Sequence, residues 1–332
     1  MLNKITSISM TDPVISVIMP VYNAAQHLRE AVHSILFQTF SDFELIMIND
    51  FSTDNTMSIV SELAYKDNRI KSVKNAFKKG LPGALNTGLA TARGKYLARA
   101  DGDDLLRPER LQVQFDYLEK HPHIALVGAG YAPFNEQGNR TQIYHETSSV
   151  ILAWKCIVNT YFCHPLIMLR REVYEKLGGY PDSVTEDFAW FSKITQNYPC
   201  VNIKKILIDY RESPGNYSHA NSKKIAHAGE DIRKDNCRFY FQNDSLHQDI
   251  KIFVEHGEAE IAKLFPLLRA QHLFCSYIRK QYSLFCFSPP LLQFYRYFFS
   301  TIIVSILKIF KKKLPLHRLH HVYSKLKNFI QN

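Results

Sequence analysis

Leu97-Ala98-Arg99-Ala100-Asp101-Gly102-Asp103-Asp104 sets three carboxylates within four residues, directly after a short apolar run. Like charges this close repel, so something must offset them. A divalent cation bound to a diphosphate meets that need, because hard cations such as magnesium take one or two protein carboxylates and complete their shell with phosphate oxygens and water. Gly102 removes a side chain between two of the acids and lets the backbone approach a ligand. The alternative is an acidic turn or helix cap ahead of Leu105-Leu106-Arg107-Pro108, where aspartate is favoured for its oxygen and its charge. The flanking sequence decides between them.

Upstream, Val14-Ile15-Ser16-Val17-Ile18-Met19 is apolar and β-branched and stops at Pro20, and Leu28, Val32, Ile35 and Leu36 give helical spacing over residues 24–37. Phe43-Glu44-Leu45-Ile46-Met47-Ile48 repeats the strand signal and enters the polar loop Asn49 to Asp54, which leads into a helix over 55–65 with Ser52 and Asp54 as capping candidates. A third strand over 70–73 and a helix over 82–93 precede Tyr96-Leu97-Ala98-Arg99. Alternating strands and helices predict right-handed crossovers and a mostly parallel α/β sheet. Ligands bind such sheets at the carboxyl ends of the strands. The loops Val21-Tyr22-Asn23, Asn49-Asp50 and Asp101 to Asp104 each follow a strand, so they are expected to converge on one crevice.

At 332 residues the chain suits one large domain with an appendage. The net charge of +10 is concentrated at one end: Glu260 is the last acidic residue, and the 12 Lys and Arg after it leave 29 basic against 31 acidic residues in the body. Six cysteines without a C-x-x-C pair or metal spacing predict free thiols in a reducing compartment. Residues 1–11 are polar and mixed, with no signal-peptide pattern, so the protein is expected to face the cytosol.

Pro20-Val21-Tyr22-Asn23, Ile48 to Asp54, Ala84-Leu85-Asn86-Thr87-Gly88 and Asp101-Gly102-Asp103-Asp104, followed by His164-Pro165, Met168-Leu169-Arg170-Arg171, Gly178-Gly179-Tyr180, Thr185-Glu186-Asp187-Phe188-Ala189-Trp190 and Tyr210-Arg211, stand in an order and spacing that resemble the family-2 inverting glycosyltransferases with the GT-A fold. No single motif is specific, but the ordered set is. The resemblance implies a nucleotide-sugar donor, of UDP type, bound by Pro20, Tyr22, Asn23, Asp50, Asn86 and Asp101. It implies Mn2+ or Mg2+ held by Asp103 and Asp101, with Asp104 behind them. It makes Asp187 the general base that deprotonates the acceptor, with Glu186, His164 and Trp190 as acceptor-side or supporting residues. Each residue also has a plain structural reading: Tyr22 as a loop aromatic against the sheet edge, Asp50 and the Glu186-Asp187 pair as helix caps, and His164 as a packed histidine. The sequence departs from the family at Asn49, usually acidic, and at Phe51, usually glycine. The aromatic run from Trp154 to Cys163 is expected to face the acceptor, and the resemblance to some relatives makes His219, on a loop with Pro214, Gly215 and Asn216, a candidate to approach the metal. No Gln-x-x-Arg-Trp run of the processive synthases occurs, which implies transfer of one sugar per encounter.

Residues 1–225 are thus read as the GT-A domain and 226–332 as a helical, membrane-proximal extension. In the extension, Leu291 to Phe310 is aromatic and aliphatic and runs into Lys311-Lys312-Lys313. Gln293 and Arg296 interrupt it, so an interfacial helix with a basic flank, attracted to anionic lipid, is expected rather than a span of the ~30 Å hydrocarbon layer. A core helix with a solvated basic end is the alternative. The partners expected are the donor, a glycan or lipid-linked acceptor and the inner face of the plasma membrane. Nucleic acid is not among them, because these lysines flank an apolar stripe.

Overall fold

Ile15–Val21 (β1) is buried along its length apart from Pro20, as a strand covered on both faces must be. The computed structural model describes residues 12–135, 138, 141–212, 222–256, 261–282 and 288–311. In it β1 pairs in parallel with Phe43–Asn49 (β2) on one side and Tyr96–Arg99 (β4) on the other, and β2 pairs in parallel with Ile70–Lys74 (β3). Helices Leu28–Leu36 (α1), Thr56–Lys66 (α2) and Leu81–Thr91 (α3) make the crossovers. Ile18 is in register with both Ile46 and Arg99, and Val21 with Asn49, so the loops after these three strands leave the sheet along one edge.

α1 starts four residues later than its spacing predicts. The amides of Ala24 and Ala25 are drawn instead to Thr56 Oγ1 (2.8 Å) and Asp54 Oδ2 (3.2 Å), which ties the first loop to the second.

Beyond β4 the sheet becomes mixed. Met168–Arg170 (β7) runs antiparallel to β4 and to Leu126–Phe134 (β6), Cys200–Arg211 (β8) lies parallel to β6, and Leu105–Leu106 (β5) closes the edge antiparallel to β8. The strand order is β3-β2-β1-β4-β7-β6-β8-β5. The reversal at β7 follows from its entry: a one-turn helix over His164–Leu166 delivers three strand residues before Arg171–Leu177 (α6) begins. Arg110–Lys120 (α4) packs behind β4, where the buried Arg110 donates from Nη2 to the Arg99 carbonyl at 2.6 Å. Glu186–Asn197 (α7) precedes β8.

The extension forms a core of its own. Helices Ser222–Phe241 (α8), His247–His256 (α9), Ile261–Gln281 (α10) and Pro289–Lys311 (α11) close over Ser149–Lys155 (α5) of the body. Trp154 of α5 is 0% exposed at the centre, with Phe274, Phe294 and Phe298 edge-on at 5.1, 5.7 and 5.7 Å. This corrects the expectation that Trp154 opens the acceptor-facing run: its ring fills the extension's core, and the polar pair Asn159-Thr160 reaches the cleft in its place. The stripe Leu291, Phe294, Phe298 and Ile302 on α11 is buried in that core too, so the apolar face expected to lie on lipid is occupied within the protein. No helix among the described residues is long and apolar enough to cross a membrane. α8 runs without a break through residues 225 and 226. The five described cysteines are free and buried.

Candidate active site

One cleft of about 1070 Å³ lies at the carboxyl edge of β1, β2 and β4. Pro20, Tyr22, Asn23, Asp50, Asp101, Asp103, His164, Glu186 and Asp187 all line it, whereas Asn86, Asp104 and Trp190 do not. The expected convergence of the three strand-end loops is therefore observed.

On the sheet side, the Asp50 carboxylate accepts the Asn75 side-chain amide at 2.6 Å and the Gly80 N–H at 2.9 Å. Gly80 has φ 131°, a conformation glycine takes freely, and it turns that N–H onto Asp50 at the start of α3. Asp50 caps no helix: Asp54 accepts the Thr56 N–H at 2.9 Å at the start of α2, and Ser52 accepts the Asn23 N–H at 3.2 Å. Phe51 stands at φ 59°, so the usual glycine at this place matches a left-handed backbone, and the loop here keeps its shape with a side chain that is 51% exposed. Asn49 Oδ1 takes the Ser52 N–H at 3.0 Å, a role an acidic side chain fills equally well. Tyr22 is not packed on the sheet edge. It is 52% exposed, with the Lys79 ammonium 4.6 Å from its ring centroid.

At the base, one carboxylate oxygen from each of Asp101, Asp103 and Asp104 lies within 4.8 Å of the others. Arg99 Nη1 donates to Asp101 at 2.6 Å from a buried position. Burial opposes the charge of Arg99, but Asp101, Tyr180 and Asp104 together outweigh it and hold the guanidinium above its usual pKa. Asp103 is pushed up to about 6 by burial and then by Asp101, and Asp104 is raised well above the carboxylate range by burial and both neighbours. Asp104 accepts the Arg211 N–H through Oδ1 at 2.8 Å, while its buried Oδ2 has no hydrogen-bond partner. Arg211 also donates to the Asp103 carbonyl at 2.9 Å and pairs with Glu30, which fixes the acidic loop from behind. The cluster is short of positive charge and holds an orphaned oxygen, which is the condition a divalent cation satisfies.

Across the cleft, α7 presents Glu186 and Asp187 in its first turn. Asp187 Oδ1 accepts the Phe188 N–H at 2.7 Å. Burial raises its pKa, and Glu186 is pushed up to about 7 by burial and then by the Asp187 charge. His164 sits beside them with Nδ1 3.9 Å from Glu186 and Nε2 2.9 Å from the Tyr180 hydroxyl. Burial, then Arg99, holds this imidazole well below its usual value, so it is neutral. Two of the three residues outside the cleft are placed by the same neighbour. Asn86 exchanges both amide bonds with the Tyr180 backbone at 2.8 and 2.9 Å, and Trp190 packs on the Tyr180 ring at 4.1 Å, tilted by 40°, while donating to the Gly178 carbonyl. Both hold the Tyr180 turn, and neither lines the cleft.

Sequence reasoning missed Arg99, Lys79, Arg233 and Lys251 as cleft residues. Arg99 did leave a signal, as the one charge in an otherwise apolar strand. The others carried no local mark. His219 lies outside the described residues.

The Glycosyl transferase family 2 model matches residues 16–178. Glycosyltransferase EpsE of Bacillus subtilis is 38% identical over 208 residues, which cover 60% of this chain and 73% of EpsE. The chain belongs to glycosyl transferase family 2. It is a glycosyltransferase with the GT-A fold. The glucosyltransferase WfgD of Escherichia coli, named as acting from UDP-Glc on GlcNAc-diphosphoundecaprenol, is 36% identical over 38% of this chain and 49% of its own length. Among solved structures, TarS of S. aureus in complex with UDP-GlcNAc superposes with a TM-score of 0.59 at 18% identity over 80% of both chains. The mannosyltransferase PcManGT of Pyrobaculum calidifontis, in complex with GDP-Man and Mn2+, gives 0.54 at 18% identity over 92% of this chain and 89% of its own.

Proposed function

We propose that this glycosyltransferase transfers a single sugar from a UDP-sugar to a hydroxyl of a glycan or lipid-linked acceptor, with inversion at the anomeric carbon, in the synthesis of a cell-surface polysaccharide or lipopolysaccharide. The observation that carries the reading is one cleft shared by Tyr22 and Asp50, by Asp101 and Asp103 and, on the facing wall, by Asp187. Tyr22 offers an open ring face to the base, and Asp50, held by Gly80 and Asn75, keeps lone pairs for an imide N–H. Pro20 and Asn23 shape that subsite, and Asn86 is reassigned to positioning the Tyr180 turn.

Asp103 and Asp101 would hold Mn2+ or Mg2+, with the orphaned oxygen of Asp104 behind them. Bound there, the ion supplies Lewis-acid stabilisation of the departing nucleoside diphosphate. Asp187, its pKa raised by burial, takes the proton from the acceptor hydroxyl as that oxygen attacks. One base facing one held leaving group suffices for a single displacement, which gives inversion. Glu186 and the neutral His164 line the acceptor path beside it. The UDP-sugar named for WfgD and the UDP-GlcNAc bound in TarS support the donor class, and the lipid-linked acceptor named for WfgD supports the acceptor class.

Donor binding belongs to residues 1–225, and α8 and α9 of the extension complete the far wall beside His164, Glu186 and Asp187. The protein works at the cytoplasmic face of the membrane, peripherally, through its basic C-terminal charge and the exposed Leu292 and Phe299, since the inner face of α11 is already covered.

A thermal-shift panel of nucleotide sugars with and without Mn2+ tests the reading. A rise with a UDP-sugar that requires Mn2+ and disappears in Asp103→Ala is expected. No rise with any nucleotide sugar, with or without Mn2+, would overturn the donor site.

A further inference from the structure

The far wall of the cleft carries cations that the donor reading does not use. Arg233 on α8 is 9% exposed, yet among the described residues no carboxylate lies at ion-pair distance from it; Glu230 on the same helix feels its charge but pairs with Lys234. Its Nη1 and Nη2 reach only the carbonyls of Val158 and Ala226, at 3.5 and 3.4 Å, and its buried Nε has no hydrogen-bond partner. The guanidinium folds back along α8 over Gly229, where a Cβ would meet Nη1 at 3.2 Å, so the absence of a side chain there makes its seat. Lys251 on α9 lines the same cleft, and among the described residues no carboxylate forms an ion pair with it. An unpaired guanidinium at this depth is costly. Glu255 lines the cleft as well, one turn from Lys251 on α9, so two cations stand there against one carboxylate, and a wall with that positive excess suits an anion.

We propose that Arg233 and Lys251 form an anion subsite that takes a phosphate ester carried by the acceptor. The assignment rests on the reading of Asp187 as the acceptor-side base. α8 is fastened to α7, which bears Asp187, by Asn236 Nδ2 donating to Ser192 Oγ and Gln196 Nε2 donating to Asn236 Oδ1, both at 3.0 Å. Subsite and base are therefore held on two helices fastened to each other. The donor's own diphosphate is assigned to the Asp101 to Asp104 side, so the anion met by Arg233 belongs to the other substrate. A planar fork of donors beside a compact ammonium suits the tetrahedral oxygens of a phosphate. Such a phosphate comes either from a prenyl diphosphate anchor or from a polyol-phosphate chain.

The test is calorimetric titration of the full-length chain with farnesyl diphosphate, glycerol 3-phosphate and glucuronate, with and without saturating UDP. At least one phosphate probe should bind the UDP-saturated protein, with glucuronate at least about tenfold weaker. Arg233→Gln and Lys251→Gln should each weaken that probe about tenfold, Arg233→Lys should weaken it less, and UDP affinity should stay within about twofold throughout. Preference for farnesyl diphosphate supports the subsite with a lipid anchor as its ligand, and preference for glycerol 3-phosphate supports it with a polyol-phosphate chain. Phosphate binding that is unchanged in both Gln variants, or glucuronate binding as tight as phosphate, overturns the subsite. Absence of UDP binding to the wild type would count against the donor site alone, because the titration without UDP still reads the dependence on Arg233 and Lys251.

Discussion

The cleft wall that comes from residues 20–103 and the wall that comes from residues 159–255 are built by different means. The first is made of loops at the ends of three adjacent parallel strands, with β1 between β2 and β4, and Tyr22, Asp50 and Asp101 are brought together by register alone. The second is assembled from a one-turn helix, the start of α7 and two helices of the extension, held in place by packing around Trp154 and by hydrogen bonds among Asn236, Ser192 and Gln196. Strand-end loops tolerate change in their side chains while the sheet stands. A wall of packed helices depends on its core.

The largest effect that separates the walls is expected for Asp103→Ala. Loss of metal-assisted leaving-group stabilisation removes several kcal/mol, at least about a thousandfold in rate, and the same change should abolish Mn2+-dependent UDP binding while the domain stays folded. Transfer that persists in the presence of chelator would take the metal out of the mechanism. On the opposite wall, Asp187→Asn keeps the size of the side chain but cannot accept a proton at neutral pH. It should slow transfer by about a hundredfold or more and leave UDP affinity within a few-fold, measured by steady-state kinetics beside calorimetry. A parallel loss of UDP binding would mean that the walls do not divide the work.

Trp154→Ala probes how the second wall is held. Removing a fully buried indole from a ring of phenylalanines costs about 3–5 kcal/mol, read as a drop in the denaturation midpoint. The extension should loosen first, seen as protease cleavage after residue 222 while UDP binding survives. Simultaneous loss of UDP binding and the extension would show one cooperative unit.

pH gives a smaller handle on the same wall. Folding raises Glu186 from 4.5 to about 7 through burial and the Asp187 charge, so across that interval the folded state binds more protons than the unfolded one. Stability therefore falls as pH rises from about 4.5 to about 7. Glu186→Gln should flatten the slope of urea midpoint against pH, measured without metal. Asp103, Asp104 and Asp187, shifted the same way, keep some of it. An unchanged slope would remove Glu186 as a contributor.

The smallest effect is local to the first wall. Phe51 at φ 59° carries strain that a glycine in its place would relieve, and for a residue this exposed the gain is up to about 1 kcal/mol with UDP affinity kept. Destabilisation by Phe51→Gly in a urea titration would show that the ring, not the backbone, matters there.

This contrast also explains what could be read from the chain. Apolar runs, polar loops and their order exposed β1 to β4, the acidic cluster and Asp50, because each depends on neighbours in sequence. The antiparallel β7 was not legible, since three strand residues give no periodicity to read. Asn86 and Trp190 sit within family motifs, yet both serve the Tyr180 turn, a contact made 94 residues away for Asn86. The α11 stripe fits a lipid surface and a protein core equally well in sequence; only the helices packed on it decide for the core. Arg233 and Lys251 reach the cleft through the folding of the extension, which no local pattern encodes.

The central claim, a single base facing a single held leaving group, is tested most directly by the configuration at the anomeric carbon of the first product, read by proton NMR before mutarotation or further transfer. The account predicts a configuration opposite to that of the donor. Retention would require an enzyme nucleophile or a second displacement and would contradict the assignment of Asp187.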